Sequence, residues 1–231
     1  MALSEGHFVA YPARMAELPT VAPYISPVVL EGTHVRLEPL TMQHAEALVA
    51  AASEDRSAYD WTWVPDGDDA MCEYISTALE LAARHEAVPF ATVHRPTGKV
   101  IGTTRFATFE YIPWPPSNPY YRGEGRPDGV EIGWTWLAAS AQRTPVNTEA
   151  KWLMLRHAFE TWGVRVVRLN TDRRNARSRA AIERIGGKLD GILRANRIAT
   201  DGILRDSACY SIIESEWPDV DRALRSKLSL G

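Results

Sequence analysis

Between Val130 and Ile185 the apolar period of the chain changes from two residues to about 3.6, back to two, and then again to about 3.6. That succession restricts the second half to strand, helix, strand and helix, and joins two strands through a crossover. The first strand is Val130-Glu131-Ile132-Gly133-Trp134-Thr135-Trp136-Leu137. Alternation places Glu131, Gly133 and Thr135 on one face and Ile132, Trp134 and Trp136 on the other. A helix is expected from Thr148 to about Trp162, with Trp152, Phe159 and Trp162 recurring at core spacing. Arg165–Thr171 reads as the next strand. Asn175–Ile185 reads as the next helix, closed by Gly186-Gly187 where a left-handed cap belongs.

The remaining segments extend this pattern. Val28 to Leu40 forms two short strand halves around Gly32-Thr33, and Thr41 can cap a helix running to about Ser53. A second amphipathic helix spans roughly Asp68 to His85, with Met71, Ile75, Leu79 and Ala82 on one side. Val88–His94 and Lys99–Phe109 are strands joined by the turn Arg95-Pro96-Thr97-Gly98. Glu110 to Gly129 interrupts the meander with five prolines, one tryptophan and three tyrosines, the mark of a long functional loop. Two last strands, about Lys188–Ala199 and Ala208–Glu214, meet at Asp201-Gly202, and a helix follows from Pro218. Residues 1–27, with prolines at 12, 19, 23 and 27, read as an extended arm on a single mixed α/β domain of residues 28–231.

Composition narrows the function. A net charge of −3 gives no global attraction to nucleic acid or anionic membrane. One stretch differs: Arg165 to Arg205 holds eleven Lys or Arg against four acidic residues, which suits a polyanionic ligand. Cys72 and Cys209 lack paired spacing, and the six histidines show no ligand pattern, so neither disulfide nor metal is expected. Without an apolar run long enough to span a bilayer, or a signal peptide, the expected location is the cytoplasm.

The loop Gln142-Arg143-Thr144-Pro145-Val146-Asn147-Thr148-Glu149 leads a strand into a helix, whose first N–H groups lack internal partners and attract phosphate. Arg143 can add a bidentate, permanently charged contact.

Several short motifs occur in a telling order: Val35-Arg36-Leu37-Glu38-Pro39-Leu40, Ile101-Gly102-Thr103, Glu131-Ile132-Gly133-Trp134, Asn175-x-x-Ser178, Ile185-Gly186-Gly187 and Asp206-x-x-x-Tyr210-Ser211-Ile212. From Val28 to Trp217 the chain resembles the GCN5-related N-acetyltransferase (GNAT) superfamily, in the branch related to ribosomal-protein N-terminal acetyltransferases. The resemblance implies a mostly antiparallel sheet of six to seven strands, helices on both faces, and a V-shaped splay between the fourth and fifth strands. It also implies acetyl-coenzyme A as acyl donor and an amine, small or a peptide N-terminus, as acceptor.

By that resemblance the pantetheine arm pairs with backbone near Trp136 and Leu137. The pyrophosphate rests on the Gln142–Thr148 turn through amides of Arg143, Thr144, Val146 and Asn147, and Asn175 bonds the pantetheine amides. Pro145 and Asn147 stand where this loop usually carries glycines, and Pro145 removes one donor. Glu131 is the candidate base, expected in a largely apolar cleft; its other reading is an ion pair with an arginine, or ordering of the Glu110–Gly129 loop. Ser178 or Tyr210 is the candidate acid for the leaving thiolate. Trp61, Trp63, Trp114, Tyr120 and Tyr121 fall in segments that would roof an acceptor pocket, with Trp134 in its wall. Other readings are a different acyl donor such as succinyl-coenzyme A, a coenzyme A sensor without activity, and nucleic-acid binding through the positive stretch. The late apolar strands and the arm suit a homodimer.

Overall fold

The Gly32-Thr33 turn folds the first extended run back on itself, and the two expected strand halves pair with each other. β1 (Leu30–Glu31) and β2 (Val35–Pro39) pair antiparallel, and β3 (Ala87–His94), β4 (Lys99–Glu110) and β5 (Gly129–Leu137) continue the meander. β6 (Val166–Asp172), β7 (Lys188–Ile198) and β8 (Leu204–Ile213) complete one eight-stranded sheet in the order β1-β2-β3-β4-β5-β6-β8-β7. Among the described residues only the β5–β6 contact is parallel. This is a computed structural model, and it describes residues 25–230, so most of the expected N-terminal arm lies outside the described residues.

Helices cover both faces of the sheet: α1 (Ala45–Ser53), α2 (Gly67–Ala83), α3 (Pro145–Arg156), α4 (Ala176–Arg184) and α5 (Trp217–Lys227). Alternation along β4 shows which face each side takes. Thr103 and Arg105 reach Tyr74 of α2, whereas Thr104 bonds Lys151 of α3 and Phe106 packs on Trp162 just beyond it. Helices α2 and α3 therefore lie on opposite faces. Helix α3 starts at Pro145, three residues earlier than the pattern suggests. Proline suits the first helical position, and Thr144 caps it by accepting from the Val146 N–H at 3.4 Å. β8 also starts earlier than expected, at Leu204, because the turn closes tightly through Gly202 N–H to the Ala199 carbonyl at 3.0 Å.

Two contacts fix the frame around α3. Gly102 sits at φ +151° where β4 passes β5, and a Cβ there would lie 2.1 Å from the Trp136 carbonyl oxygen, so the position admits only glycine. Glu149, wholly buried in α3, accepts from three successive backbone N–H groups, those of Thr33, His34 and Val35, at 2.8, 2.6 and 2.8 Å. One carboxylate thus satisfies the donors of the β1–β2 turn and ties that turn to the helix.

Candidate active site

The parallel ladder between β5 and β6 is short. It joins Gly129 to Val166, Val130 to Val167 and Glu131 to Arg168, and ends there. β6 continues along β8 as far as Asp172, while β5 continues along β4 as far as Leu137, so beyond Glu131 the two strands leave each other. The wedge between them is a cleft of about 500 Å³.

A β-bulge shapes its wall. Thr103 pairs with Trp136 and Arg105 with Gly133, which leaves Trp134 and Thr135 opposite the single residue Thr104. Trp134 takes φ +49°, rare for a bulky residue. The bulge corrects the expected alternation: Trp136 shares the α2 face with Glu131 and Gly133, whereas Thr135 turns to α3 and bonds Thr104 at 2.8 Å. Glu131 is at the apex of the wedge, only 6% exposed, and a Cβ on Gly133 would come within 3.2 Å of its carboxylate. Glycine there leaves the carboxylate its space.

At the mouth, Arg143 adopts φ +60° immediately before the α3 N-terminus. Backbone held in such a conformation costs on the order of 1–3 kcal/mol and is characteristic of ligand sites. The Val146 N–H is already taken by the Thr144 hydroxyl, so Val146 gives the cradle no amide, and buried Val146 and Thr148 lie outside the cleft lining. The lining does include Gln142, Arg143, Thr144 and Asn147, with Asn175 and Ser178 on the α4 side. Asn175 caps α4 by accepting from the Ser178 N–H at 2.9 Å, which uses one lone pair of its amide oxygen and leaves the amide nitrogen to donate to a ligand. The Leu137 carbonyl is likewise engaged, by the Tyr59 hydroxyl and the Gln142 amide, each at 3.1 Å. Two buried polar atoms in the cleft wall have no partner among the described residues: Trp136 Nε1, a donor, and Asn147 Oδ1, an acceptor.

Comparison with known proteins decides the family. Residues 34–188 match the acetyltransferase (GNAT) domain. The chain belongs to the GNAT acetyltransferase family. A GCN5-related N-acetyltransferase from Brucella melitensis is 29% identical, with 87% of this chain and 85% of that one covered at a TM-score of 0.69. An acetyltransferase homologue from T. thermophilus is 31% identical, covering 88% and 98%, at 0.70. Mycobacterium smegmatis RimJ in complex with CoA-disulfide is 19% identical, covering 87% and 93%, and at 0.68 shares the fold. The chain has no match among curated proteins.

Besides Val146 and Thr148, three more residues expected at the GNAT site, Tyr210, Trp114 and Tyr120, are not among the cleft lining. Tyr210 is fully buried off the cleft, its hydroxyl held between Arg179 and Glu183 at 2.9 Å each, and burial pushes the phenol above its usual range. Trp114 and Tyr120 close the 110–129 loop instead: Arg165 packs over both rings at 5.6 and 4.9 Å, and Asp128 accepts from the Trp114 indole at 2.9 Å. Trp61, Trp63 and Trp134 do line the cleft. Nor is the wall apolar around Glu131, because Arg197 approaches it at 3.8 Å and Arg205 stands nearby. Much of the positive stretch is internally neutralised, with Arg165, Arg168, Arg173 and Arg174 in ion pairs to Asp128, Glu110, Asp206 and Asp172. Among the described residues no cluster of His, Cys, Asp or Glu could hold a metal ion, and no helix is long and apolar enough to cross a membrane.

Lys151 is a cleft residue that helical patterning hides, since a lone lysine on α3 reads as solvent-facing. It is 5% exposed and donates to Thr104 and Thr135 hydroxyls at 3.0 and 2.5 Å, and burial pushes its pKa from 10.5 down to about 7. Between those pH values the unfolded chain binds a proton that the folded one has released, so stability rises with pH. We expect a slope of up to about 1.4 kcal/mol per pH unit from this group. Urea unfolding of the Lys151→Met variant should show a flatter pH dependence and higher stability near neutrality; an unchanged profile would mean the lysine remains charged.

Proposed function

We propose that this GNAT domain transfers an acetyl group from acetyl-coenzyme A to an amine, with Glu131 as base. The observation that carries the reading is the wedge that opens at Glu131 and runs out to the capped α3 N-terminus beside Arg143. The residues present fit the donor. Trp136 Nε1 and Asn147 Oδ1 are buried polar atoms without partners, the state a pocket for an amide-rich ligand shows when polar atoms await a ligand. Arg143, the Asn147 N–H and the Thr144 turn would hold the pyrophosphate, and the Asn175 amide would hold the arm. When bound, acetyl-coenzyme A supplies the acyl group as a thioester.

The chain's own residues do the rest. Glu131 takes a proton from the acceptor amine at the apex, where Gly133 leaves it room. Ser178 lines the cleft on the α4 side, where its hydroxyl would pass a proton from water to the leaving thiolate and be reprotonated in the same relay; Tyr210, held by Arg179 and Glu183, lies off the cleft. Trp61, Trp63 and Trp134 border the acceptor side. The free Cys72 and Cys209 suit a reducing cytoplasm, and the exposed Leu193 and Ile198 on edge strand β7 suit association with a second copy.

Calorimetry with acetyl-coenzyme A, followed by thiol release across an amine panel, tests the reading. Binding without release from any amine would leave a coenzyme A-binding protein. In Arg143→Ala the dissociation constant should rise by about 10- to 100-fold, the cost of a charge-assisted contact, with little change in kcat. Unaltered affinity would remove Arg143 from the cradle.

A further inference from the structure

The acceptor wall holds more positive charge than the proposed transfer uses. β7 bulges between Leu193 and Arg197, with Ala195 at φ +50° and its N–H bonded to Asp206. The bulge brings Arg197 directly opposite Arg205 in the β7–β8 register, and both line the cleft beside Glu131. Like charges set opposite each other in a sheet are destabilising, and burial together with Arg197 works against the charge on Arg205. The carboxylates at hand compensate only in part: Asp172 and Glu131 both favour the charge on Arg205, yet neither is hydrogen-bonded to it among the described residues. Asp172 is committed to Arg174 at 2.8 Å, and Glu131 comes no nearer to Arg197 than 3.8 Å, beyond hydrogen-bond range. Arg205 donates to the Ser207 hydroxyl at 2.9 Å. On the same face Arg105, 3% exposed, packs between the rings of Tyr74 and Trp134 at 5.1 and 5.0 Å, with no ion pair among the described residues.

These cations also occupy aromatic faces that a cationic acceptor would otherwise use. Arg105 and Arg197 both pack on Trp134, and Arg174 covers Trp61 at 4.2 Å. Selectivity here is therefore directed at negative charge.

We propose that the acceptor is a small amine with its own carboxylate or phosphate a few bonds from the nitrogen, the anion seated between Arg197 and Arg205 while the amine reaches Glu131. This deepens the acetyl-transfer reading and rests on it. The 3.8 Å between Arg197 and Glu131 sets the short spacing, which a free amino acid meets and a peptide N-terminus, whose first carbonyl is a neutral amide, does not. Two guanidinium groups recognise carboxylate and phosphate oxygens alike, through paired N–H donors.

The test compares kcat/KM for free amino acids with that for their carboxamides, which keep the amine and lose the anion, and adds phosphoethanolamine against ethanolamine as a phosphate arm. A carboxamide amine is the less basic, so a preference for the acid would not reflect amine protonation. The wild-type protein should favour the anionic member of a pair by about 10- to 100-fold, the range of a charged hydrogen bond. In Arg205→Gln that ratio should fall towards one, and Arg205→Lys should keep part of it; acetyl-coenzyme A affinity, measured alongside, reports that each variant is folded. Equal turnover of both members by the wild-type protein would overturn the anion seat while leaving acetyl transfer intact. Failure of every amine despite acetyl-coenzyme A binding would remove the transfer reading and this inference with it.

Discussion

Glu131→Gln is expected to lower kcat by about 100- to 10,000-fold, the usual contribution of a positioned general base, with acetyl-coenzyme A affinity little changed. The carboxylate is at the last paired residue before β5 and β6 separate, and the pyrophosphate-cradle residues Arg143, Thr144 and Asn147 lie outside β5. Glutamine has nearly the same shape, and at 3.8 Å the Arg197 contact contributes little to holding the strand. Single-turnover thiol release, with cofactor affinity measured separately, isolates the chemical step. Wild-type turnover in this variant would assign Glu131 to pairing with Arg197 and leave the amine to lose its proton to water.

Glu149→Ala is expected to be strongly destabilising although it lies away from the cleft. It leaves the N–H groups of Thr33, His34 and Val35 without their acceptor, at roughly 1–3 kcal/mol for each buried donor that water cannot reach. It also opens a void where the β1–β2 turn meets α3. Allowing for partial hydration of the turn, a loss of about 3–5 kcal/mol is anticipated, read as a lower denaturant midpoint with an unchanged m-value. Glu149→Gln keeps one acceptor oxygen and should lose less. A midpoint within about 0.5 kcal/mol of wild type would show that the turn finds other partners.

The two acidic residues differ in how they can be read. Glu131 stands in an alternating strand of eight residues next to a phosphate-type loop, and sequence alone singles it out. Glu149 follows a helix start that patterning places three residues too late, and its partners are more than a hundred residues away. Lys151, Arg105 and Arg205 escape notice for the same reason, since each looks like an ordinary surface charge until other elements cover it, whereas Arg197 stays exposed and reaches Glu131 through the β7 bulge. Trp114 and Tyr120 mislead the other way. An aromatic loop has the composition of a pocket roof, yet Arg165 and Asp128 bind it to itself.

Local periodicity determined most of the strands, the helices and the crossover, and the ordered short motifs carried the family resemblance, because those signals act between near neighbours. Tertiary structure decided which face each side chain takes beyond the Trp134 bulge, which charges are buried, and which rings border the cleft. A bulge shifts the register by one residue and reverses every later side chain, and burial depends on what the chain brings back from far away.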